Sequence, residues 1–280
     1  MSPDGTGVTP SRRHLRCPAG TLIDIYLAGA GPALLLLHGW SLDHRSFAPQ
    51  IEPLSRELRV ITYDRRGFGK STAAPDLESE LDDIDCIVDA LGVPRVHLLG
   101  VSQGGRLALR YAVTRPERLA SLILQGAVLD GYVVEEMLDE QIPLDRYREL
   151  ARQGRMDEVR RLWLDHPMMS AGVDDPALKG ELRSLLADYS GADLTAAGPA
   201  AGSFSVDVMA ALEHLQLPTL VITGALETAG RKAHARKICE LLRESREVEM
   251  PHSGHLSNLT EAGRYNATVL EFCRAVGNAA

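Results

Sequence analysis

Residues 96–104 read Val-His-Leu-Leu-Gly-Val-Ser-Gln-Gly, and they say more about the fold than any other segment. An apolar run leads into the pattern Gly-x-Ser-x-Gly, and a helix-forming segment, residues 106–112, follows it. Strand, tight turn and helix in this order are typical of a turn that exposes a serine as a nucleophile. Gly100 and Gly104 suit such a turn because a side chain at either position would collide with the neighbouring strand or helix. The sequence therefore predicts Ser102 as a catalytic nucleophile.

Short apolar runs alternate with helix-like segments on both sides of this turn, which predicts parallel βαβ units. Unbroken apolar runs suit strands that helices cover on both faces. The expected strands are residues 22–27, 33–37, 60–63, 96–99, 122–124, 220–222 and 248–250. The expected helices between them are residues 50–57, 80–91, 104–113, 233–243 and 261–276. The predicted fold class is α/β, with a mostly parallel central sheet flanked by helices.

One long interval, residues 131–215, contains no convincing strand. It holds helix-like segments at 133–141, 144–153, 156–165 and 176–189. An insertion of this size between core strands predicts a helical cap over the strand ends. We therefore expect an N-terminal tail over 1–20, a core over 21–130 and 216–280, and a cap over 131–215. The cap's apolar residues could line a pocket, although packing within the cap is expected for most of them: Trp163, Met168, Met169 and Phe204.

A serine hydroxyl needs a base that removes its proton, and histidine suits this role because it titrates near neutrality. His255 has the best context of the nine histidines, since it lies between the last predicted strand and the final helix. A loop at this point can bring an imidazole over the edge of the sheet towards Ser102. His252 is a rival by position alone.

The chain resembles the α/β-hydrolase superfamily, in its cap-bearing branch, from about residue 22 to residue 272. Four motifs carry this resemblance in the family's order and spacing: 34–40 (Leu-Leu-Leu-Leu-His-Gly-Trp), 64–71 (Asp-Arg-Arg-Gly-Phe-Gly-Lys-Ser), the serine turn, and Gly254-His255. Residues 254–258 are similar to the histidine loop of enol-lactonases and small-molecule esterases. This similarity favours His255 over His252 as the base. The resemblance implies the α/β-hydrolase fold and hydrolysis of an ester or lactone through an acyl-enzyme.

The resemblance also implies a carboxylate that orients His255, in the loop after the strand that precedes the histidine strand. Glu227 occupies this position, three residues after Gly224. Most relatives have Asp here, so Glu227 departs from the family pattern, although this fold accommodates either acid. Asp130, in the loop after residues 122–125, is the alternative acid. We expect Glu227 to be the acid of a Ser-His-Glu triad.

The tetrahedral intermediate of an acyl transfer needs hydrogen-bond donors for its oxyanion. The main-chain N–H of Gln103 is one expected donor, because this residue follows the nucleophile. The main-chain N–H of Trp40, in the loop after the strand 33–37, is the other. His38 and Gly39 support this loop. The Trp40 side chain could line the pocket or pack against the cap.

Composition limits the classes of partner. With 30 basic and 38 acidic side chains, the 280-residue chain has a net charge of −8, which argues against binding to nucleic acid or an anionic membrane. No apolar run reaches the length that crosses a bilayer, and the first residues lack a signal-peptide pattern. The four cysteines have no CxxC or zinc spacing, so we expect reduced thiols in a cytoplasmic protein.

The sequence therefore predicts a serine hydrolase that cleaves a small carboxylic ester or lactone without a cofactor or metal. Three alternatives keep the same triad: a thioester hydrolase, a hydrolase of C–C bonds, and a cofactor-free perhydrolase. A fourth alternative is a non-catalytic ligand-binding protein on the same scaffold, because a fold does not by itself determine a function.

Overall fold

The computed structural model describes residues 10–17, 21–134, 141–196 and 204–279. Eight strands form one sheet within these residues: β1 (Ser11–Arg16), β2 (Leu22–Ala28), β3 (Ala33–Leu37), β4 (Arg59–Tyr63), β5 (Val96–Val101), β6 (Leu119–Gln125), β7 (Thr219–Gly224) and β8 (Ser245–Met250). Their order is β1-β2-β4-β3-β5-β6-β7-β8. The strand β2 is antiparallel to β1 and β4, and the other neighbours are parallel. The predicted α/β class is confirmed, and each predicted strand is present.

Helices connect the strands and cover the sheet. In the described ranges they are α1 (Ala48–Ser55), α2 (Ser79–Leu91), α3 (Gln103–Thr114), α4 (Leu144–Arg152), α5 (Met156–Leu164), α6 (Pro167–Ser170), α7 (Pro176–Ala187), α8 (Ala192–Thr195), α9 (Val208–Leu212), α10 (Ala229–Leu241), α11 (Ser257–Thr260) and α12 (Ala262–Ala279). The helices α2, α3 and α10 share one hydrophobic core with the sheet. The helices α1 and α12 contribute to a second core. Because β3 to β8 are parallel, the loops at their carboxyl ends meet along one edge.

A third hydrophobic core joins the insertion to this edge. It contains side chains from α4 to α8, which we call the cap helices, together with Trp40, Phe68 and Leu256 from loops that follow sheet strands. Trp163, Met168 and Met169 are buried in it, so these apolar residues pack the cap. Phe204 and α9 pack instead against the sheet core that α3 and α10 share. The predicted helix over 133–141 lies largely outside the described residues.

Residues 11–16 differ from the expected N-terminal tail, because they form β1 and pair with β2 over six residues. The strand lies at the edge of the sheet, and only Leu15 among its residues is buried. Its sequence, Ser-Arg-Arg-His-Leu-Arg, therefore lacks the apolar pattern on which the strand predictions relied.

The expectation of four reduced thiols is wrong for one pair. Cys17, directly after β1, forms a disulfide with Cys86 on α2, with 5.6 Å between the Cα atoms. Cys239 and Cys273 are free. The 69-residue separation gives no spacing signal, because the contact depends on β1 lying beside α2. Disulfides persist in oxidising compartments, so this bond removes the cysteine-based argument for a cytoplasmic location.

Among the described residues, every helix is too short or too polar to span a bilayer.

Candidate active site

Ser102 lies at the turn between β5 and α3, with φ of +55° and ψ of −114°. Its main-chain N–H donates to Gln125 O at 2.7 Å, and its carbonyl accepts from Arg106 N at 3.0 Å. A positive φ costs a non-glycine residue about 1–3 kcal/mol, and such strain concentrates at functional sites. Among the described residues other than glycine, it occurs at Ser102 and Ser41. The backbone thus holds Ser102 in a strained conformation at the carboxyl edge of the sheet.

The two glycines of the serine turn are required by close backbone contacts. A Cβ on Gly100 would lie 2.4 Å from Gly104 O, and a Cβ on Gly104 would lie 2.3 Å from Leu37 O. Gly39 differs, because a Cβ there would lie 3.5 Å from the Cβ of Ser102, an ordinary contact. Gly39 therefore lies beside Ser102, but its contacts with the described residues would also allow a larger residue there.

His255 and Glu227 form a buried pair. His255 Nδ1 lies 2.6 Å from Glu227 Oε2, and the second carboxylate oxygen accepts from Thr228 N–H at 2.8 Å. Burial would raise the pKa of Glu227, but the charge and hydrogen bond of His255 and the Thr228 N–H lower it below its ordinary value. An ionised carboxylate only accepts, so Nδ1 carries the proton and Nε2 is left as the basic nitrogen. This is the arrangement that a general base requires.

Asp130, the alternative acid, is engaged elsewhere. Its two oxygens accept from Arg106 Nε at 2.6 Å and from Arg110 Nε at 2.7 Å. Burial would raise the pKa of Asp130, but these two arginines lower it. The structure therefore pairs His255 with Glu227 and not with Asp130. His252, the rival base, is exposed, and its main-chain N–H donates to Glu261.

The expected oxyanion donors lie in the loops after β3 and β5. Within the described part of the chain, the main-chain N–H groups of Trp40 and Gln103 have no hydrogen-bond acceptor. The Trp40 side chain is 7% exposed and packs against the cap helices, and its Nε1–H donates to Asp193. The two main-chain donors thus remain available, whereas the indole belongs to the cap core.

His38 supports this loop as a neutral side chain. Its Nε2 accepts from Arg65 N–H at 3.0 Å, so its Nδ1 carries the proton and donates to Gly39 O at 2.8 Å. Burial and the nearby Arg65 charge lower the pKa of His38 to about 4. This histidine is therefore unsuited to be the base of the site.

Arg65 is a buried residue of the site that sequence reasoning missed. Its guanidinium pairs with Glu80 at 2.7 Å, and its Nη1 donates to His38 O at 2.9 Å and to Gln103 Oε1 at 3.1 Å. It thereby joins the two loops that carry the expected oxyanion donors. In the sequence, residues 64–71 stand out only as a motif of the family, and no local pattern connects Arg65 with Glu80.

Gln125 is the second residue that was missed. Its carbonyl accepts from Ser102 N–H, and its side-chain Nε2 donates to His255 O at 2.8 Å and to Asn258 Oδ1 at 3.1 Å. Gly126 follows with φ of +55°, and a Cβ there would lie 2.5 Å from His255 Cε1. These two residues bring the loops of Ser102 and His255 together. A glycine directly after a buried strand is the only sequence signal.

One group of side chains has the composition of a metal site. Ligand atoms of Asp43, His44 and Asp64 lie within 4.8 Å of one another. Each of them already has a protein partner, because Asp43 binds Arg45 and His44 Nδ1 lies 2.6 Å from Asp64 Oδ1. These bonds account for the cluster without an ion.

Known proteins provide an independent comparison. Residues 32–262 match the family described as "alpha/beta hydrolase fold". The chain is 30% identical over 230 residues to the pimeloyl-[acyl-carrier protein] methyl ester esterase of Aeromonas hydrophila, covering 81% of this chain and 89% of that one. It superposes on a thermophilic esterase from Thermogutta terrifontis with a TM-score of 0.79 and 26% identity, over 95% and 99% of the two chains.

A further similarity concerns the fold alone. The enol-lactonase of Burkholderia xenovorans superposes with a TM-score of 0.78 at 23% identity, covering 94% of this chain and all of that one.

Proposed function

The chain belongs to the α/β-hydrolase family, and we propose that it hydrolyses a small carboxylic ester or lactone through an acyl-enzyme on Ser102. The observation that carries this proposal is the buried His255–Glu227 pair, whose loop is joined through Gln125 to the strained Ser102. The A. hydrophila relative, named as a methyl ester esterase, and the T. terrifontis esterase support an ester as the substrate class.

In the proposed reaction, Ser102 Oγ attacks the carbonyl carbon while His255 Nε2 takes the hydroxyl proton. Glu227 holds the imidazole in this tautomer and stabilises its cationic form. The main-chain N–H groups of Trp40 and Gln103 donate to the oxyanion of the tetrahedral intermediate.

Collapse of this intermediate breaks the bond between the carbonyl carbon and the alkoxy oxygen. His255 gives its proton to the departing oxygen, and the acyl group remains on Ser102. Water, deprotonated by His255, then attacks the acyl carbon. This attack forms a second tetrahedral intermediate. Its collapse releases the carboxylic acid and restores the Ser102 hydroxyl with the proton held by His255. Five groups act in this cycle, three side chains and two main-chain donors, and the cycle uses no cofactor.

A substrate panel tests the proposed class. We expect the purified protein to hydrolyse short p-nitrophenyl esters or small lactones over many turnovers. Its kcat/KM for these substrates should exceed that for acyl thioesters and diketones that carry the same acyl group. A higher kcat/KM for a thioester or a diketone would contradict the substrate class. Stoichiometric binding without product would instead support a ligand-binding protein.

A further inference from the structure

A carboxylate of the cap binds the side chain of an expected oxyanion donor. Asp193, on α8, accepts from Trp40 Nε1–H at 2.6 Å through Oδ2. Its Oδ1 accepts from the hydroxyl of Tyr189 at 2.7 Å. Trp40 follows β3 and belongs to the sheet domain, whereas Asp193 and Tyr189 belong to the cap. The hydrogen bond therefore joins the cap to the residue whose main-chain N–H is an expected oxyanion donor.

The surroundings of Asp193 are unfavourable for a charge. Both of its side-chain donors are neutral, and no cation forms an ion pair with it among the described residues. Burial raises the pKa of Asp193, and the hydrogen bonds from Trp40 and Tyr189 only partly oppose this effect. Burying a carboxylate without a cation costs stability. Stability of the fold therefore gives no reason for an acid at this position.

A second bond from the cap reaches the next residue of the same loop. Trp163 Nε1–H, on α5, donates to Ser41 Oγ at 2.7 Å. Ser41 has φ of +65°, the strained region that Ser102 also adopts. Consecutive residues, Trp40 and Ser41, are thus each held by one hydrogen bond from the cap. The conformation of the loop after β3 depends on these contacts because an unconstrained serine avoids positive φ.

Aromatic packing fixes the place of the indole but leaves the hydrogen bond a separate role. The Trp40 ring lies edge-on to Trp163 and Tyr189, at centroid distances of 4.9 and 5.5 Å, and parallel to Tyr147 at 6.3 Å. Such contacts have no polar direction. The hydrogen bond to Asp193 is directional, and it allows one orientation of the indole edge. The side chain and the main-chain N–H share one Cα, so the orientation of the indole constrains the direction of that N–H.

We propose that Asp193 is a positioning residue that aims the Trp40 main-chain N–H at the oxyanion. This inference rests on the proposed function, because it presumes that Trp40 is an oxyanion donor. Donors act at about 2.7–3.1 Å from the oxyanion, and small displacements of catalytic groups are costly. Because the donor acts mainly in the transition state, loss of Asp193 should lower kcat and leave KM nearly unchanged.

The test compares Asp193→Ala with Asp193→Asn on the best ester of the panel. Alanine removes the acceptor, and we expect kcat to fall on the order of 10-fold to 10²-fold. Asparagine keeps a carbonyl oxygen for Trp40 Nε1–H and can donate its amide to the Tyr189 oxygen. It should therefore restore most of kcat without the cost of a buried charge. Equal kcat in the wild type and Asp193→Ala would overturn the proposal, as would a loss confined to KM.

Three further variants separate positioning from general stability. Trp40→Phe removes Nε1–H and keeps the main-chain N–H, so it should reproduce the loss in kcat. The double variant with Asp193→Ala should be no slower than either single variant, because both substitutions break the same hydrogen bond.

Asp188→Asn is the matched control: this cap carboxylate, 61% exposed, accepts from Arg45 Nη2 at 2.6 Å. An exposed ion pair contributes little to stability, so kcat of Asp188→Asn should remain near the wild-type value.

Intrinsic fluorescence reports on the contact between the cap and the loop after β3, since Trp40 and Trp163 are the only tryptophans of the chain. We expect Asp193→Ala to shift the emission spectrum and Asp193→Asn to preserve it. If Asp193→Ala does not fold, Trp40→Phe decides the outcome, and wild-type kcat in that variant overturns the proposal. A wild-type protein without ester turnover would instead refute the proposed function. Normal turnover that is insensitive to Asp193 refutes only the positioning role.

Discussion

Glu227 and Asp130 are carboxylates with different partners, although both follow strands at the same edge of the sheet. Glu227 meets an imidazole and a main-chain N–H, whereas Asp130 meets two guanidinium groups. Two arginines hold Asp130 as a structural anion. Glu227 instead pairs with one histidine, so its negative charge can stabilise the imidazole when this ring carries an added proton. The partners, and not the position in the fold, distinguish the two acids.

Neutralising each acid in turn tests this distinction. Glu227→Gln should lower kcat/KM for a p-nitrophenyl ester on the order of 10⁴-fold, because the amide favours the wrong imidazole tautomer. Asp130→Asn should lower the unfolding free energy, since Arg106 and Arg110 lose a partly buried anion, with a much smaller effect on kcat/KM. A large kinetic loss in Asp130→Asn, with little change in Glu227→Gln, would reverse the assignment.

For residues that belong to a local pattern, the sequence predicts a role. Ser102 and Gln103 were predicted from the Gly-x-Ser-x-Gly turn, and His255 from its place between the last strand and the final helix. Arg65, Gln125 and Asp193 could not be predicted from a local pattern. Each joins its loop to a residue 27 or more positions away in the sequence: His38 for Arg65, His255 for Gln125 and Trp40 for Asp193. Such contacts exist only once the sheet and the cap are assembled.

At the scale of elements, buried strands were easier to predict than edge strands. Ala33–Leu37 is an unbroken apolar run with five buried residues, so its composition and its environment agree. The edge strand β1 exposes nearly all of its side chains and therefore has a polar sequence. The cap helices α4, α5 and α7 lie within predicted helix-like segments, whereas the short helices α6 and α8 and the contacts with Trp40 and Ser41 were not predicted.

The loop after β4 turns around the carboxylate of Asp64. This group accepts from His44 Nδ1 at 2.6 Å, from His44 N–H at 3.0 Å and from Lys70 N–H at 2.9 Å. Burial would raise the pKa of Asp64, but these bonds and the His44 charge lower it from 3.8 to about 2. Because the pKa is lower in the folded state, the ionised carboxylate stabilises the fold above pH 4.

This stabilisation should be lost as the pH falls from about 4 to about 2. The shift corresponds to about 2 kcal/mol of unfolding free energy. Urea unfolding of wild type and Asp64→Asn at several pH values measures it, and the difference between the two proteins should shrink by this amount on acidification. Glu52→Gln, at an exposed carboxylate bonded to Arg56, is the control and should show little such change. A difference that is independent of pH would contradict the account.

At the scale of the molecule, two cores support the sheet, and a third packs the cap helices against the loops at the carboxyl edge of the sheet. The α/β class and the sequence interval of the cap helices were predictable, because both depend on hydrophobic patterns. The Cys17–Cys86 disulfide was not, because it reflects how β1 lies beside α2. The loops after β3, β5, β6, β7 and β8 meet at one edge, so residues far apart in sequence form one site.

Covalent capture of Ser102 is the sharpest test of the proposed chemistry. Intact-protein mass spectrometry after treatment with a fluorophosphonate should show one adduct per chain, and peptide mapping should place it on Ser102. Ser102→Ala should form no adduct and hydrolyse no ester above the uncatalysed rate, while keeping the wild-type unfolding midpoint. An adduct on another residue, or ester hydrolysis retained by folded Ser102→Ala, would contradict the proposed acyl-enzyme.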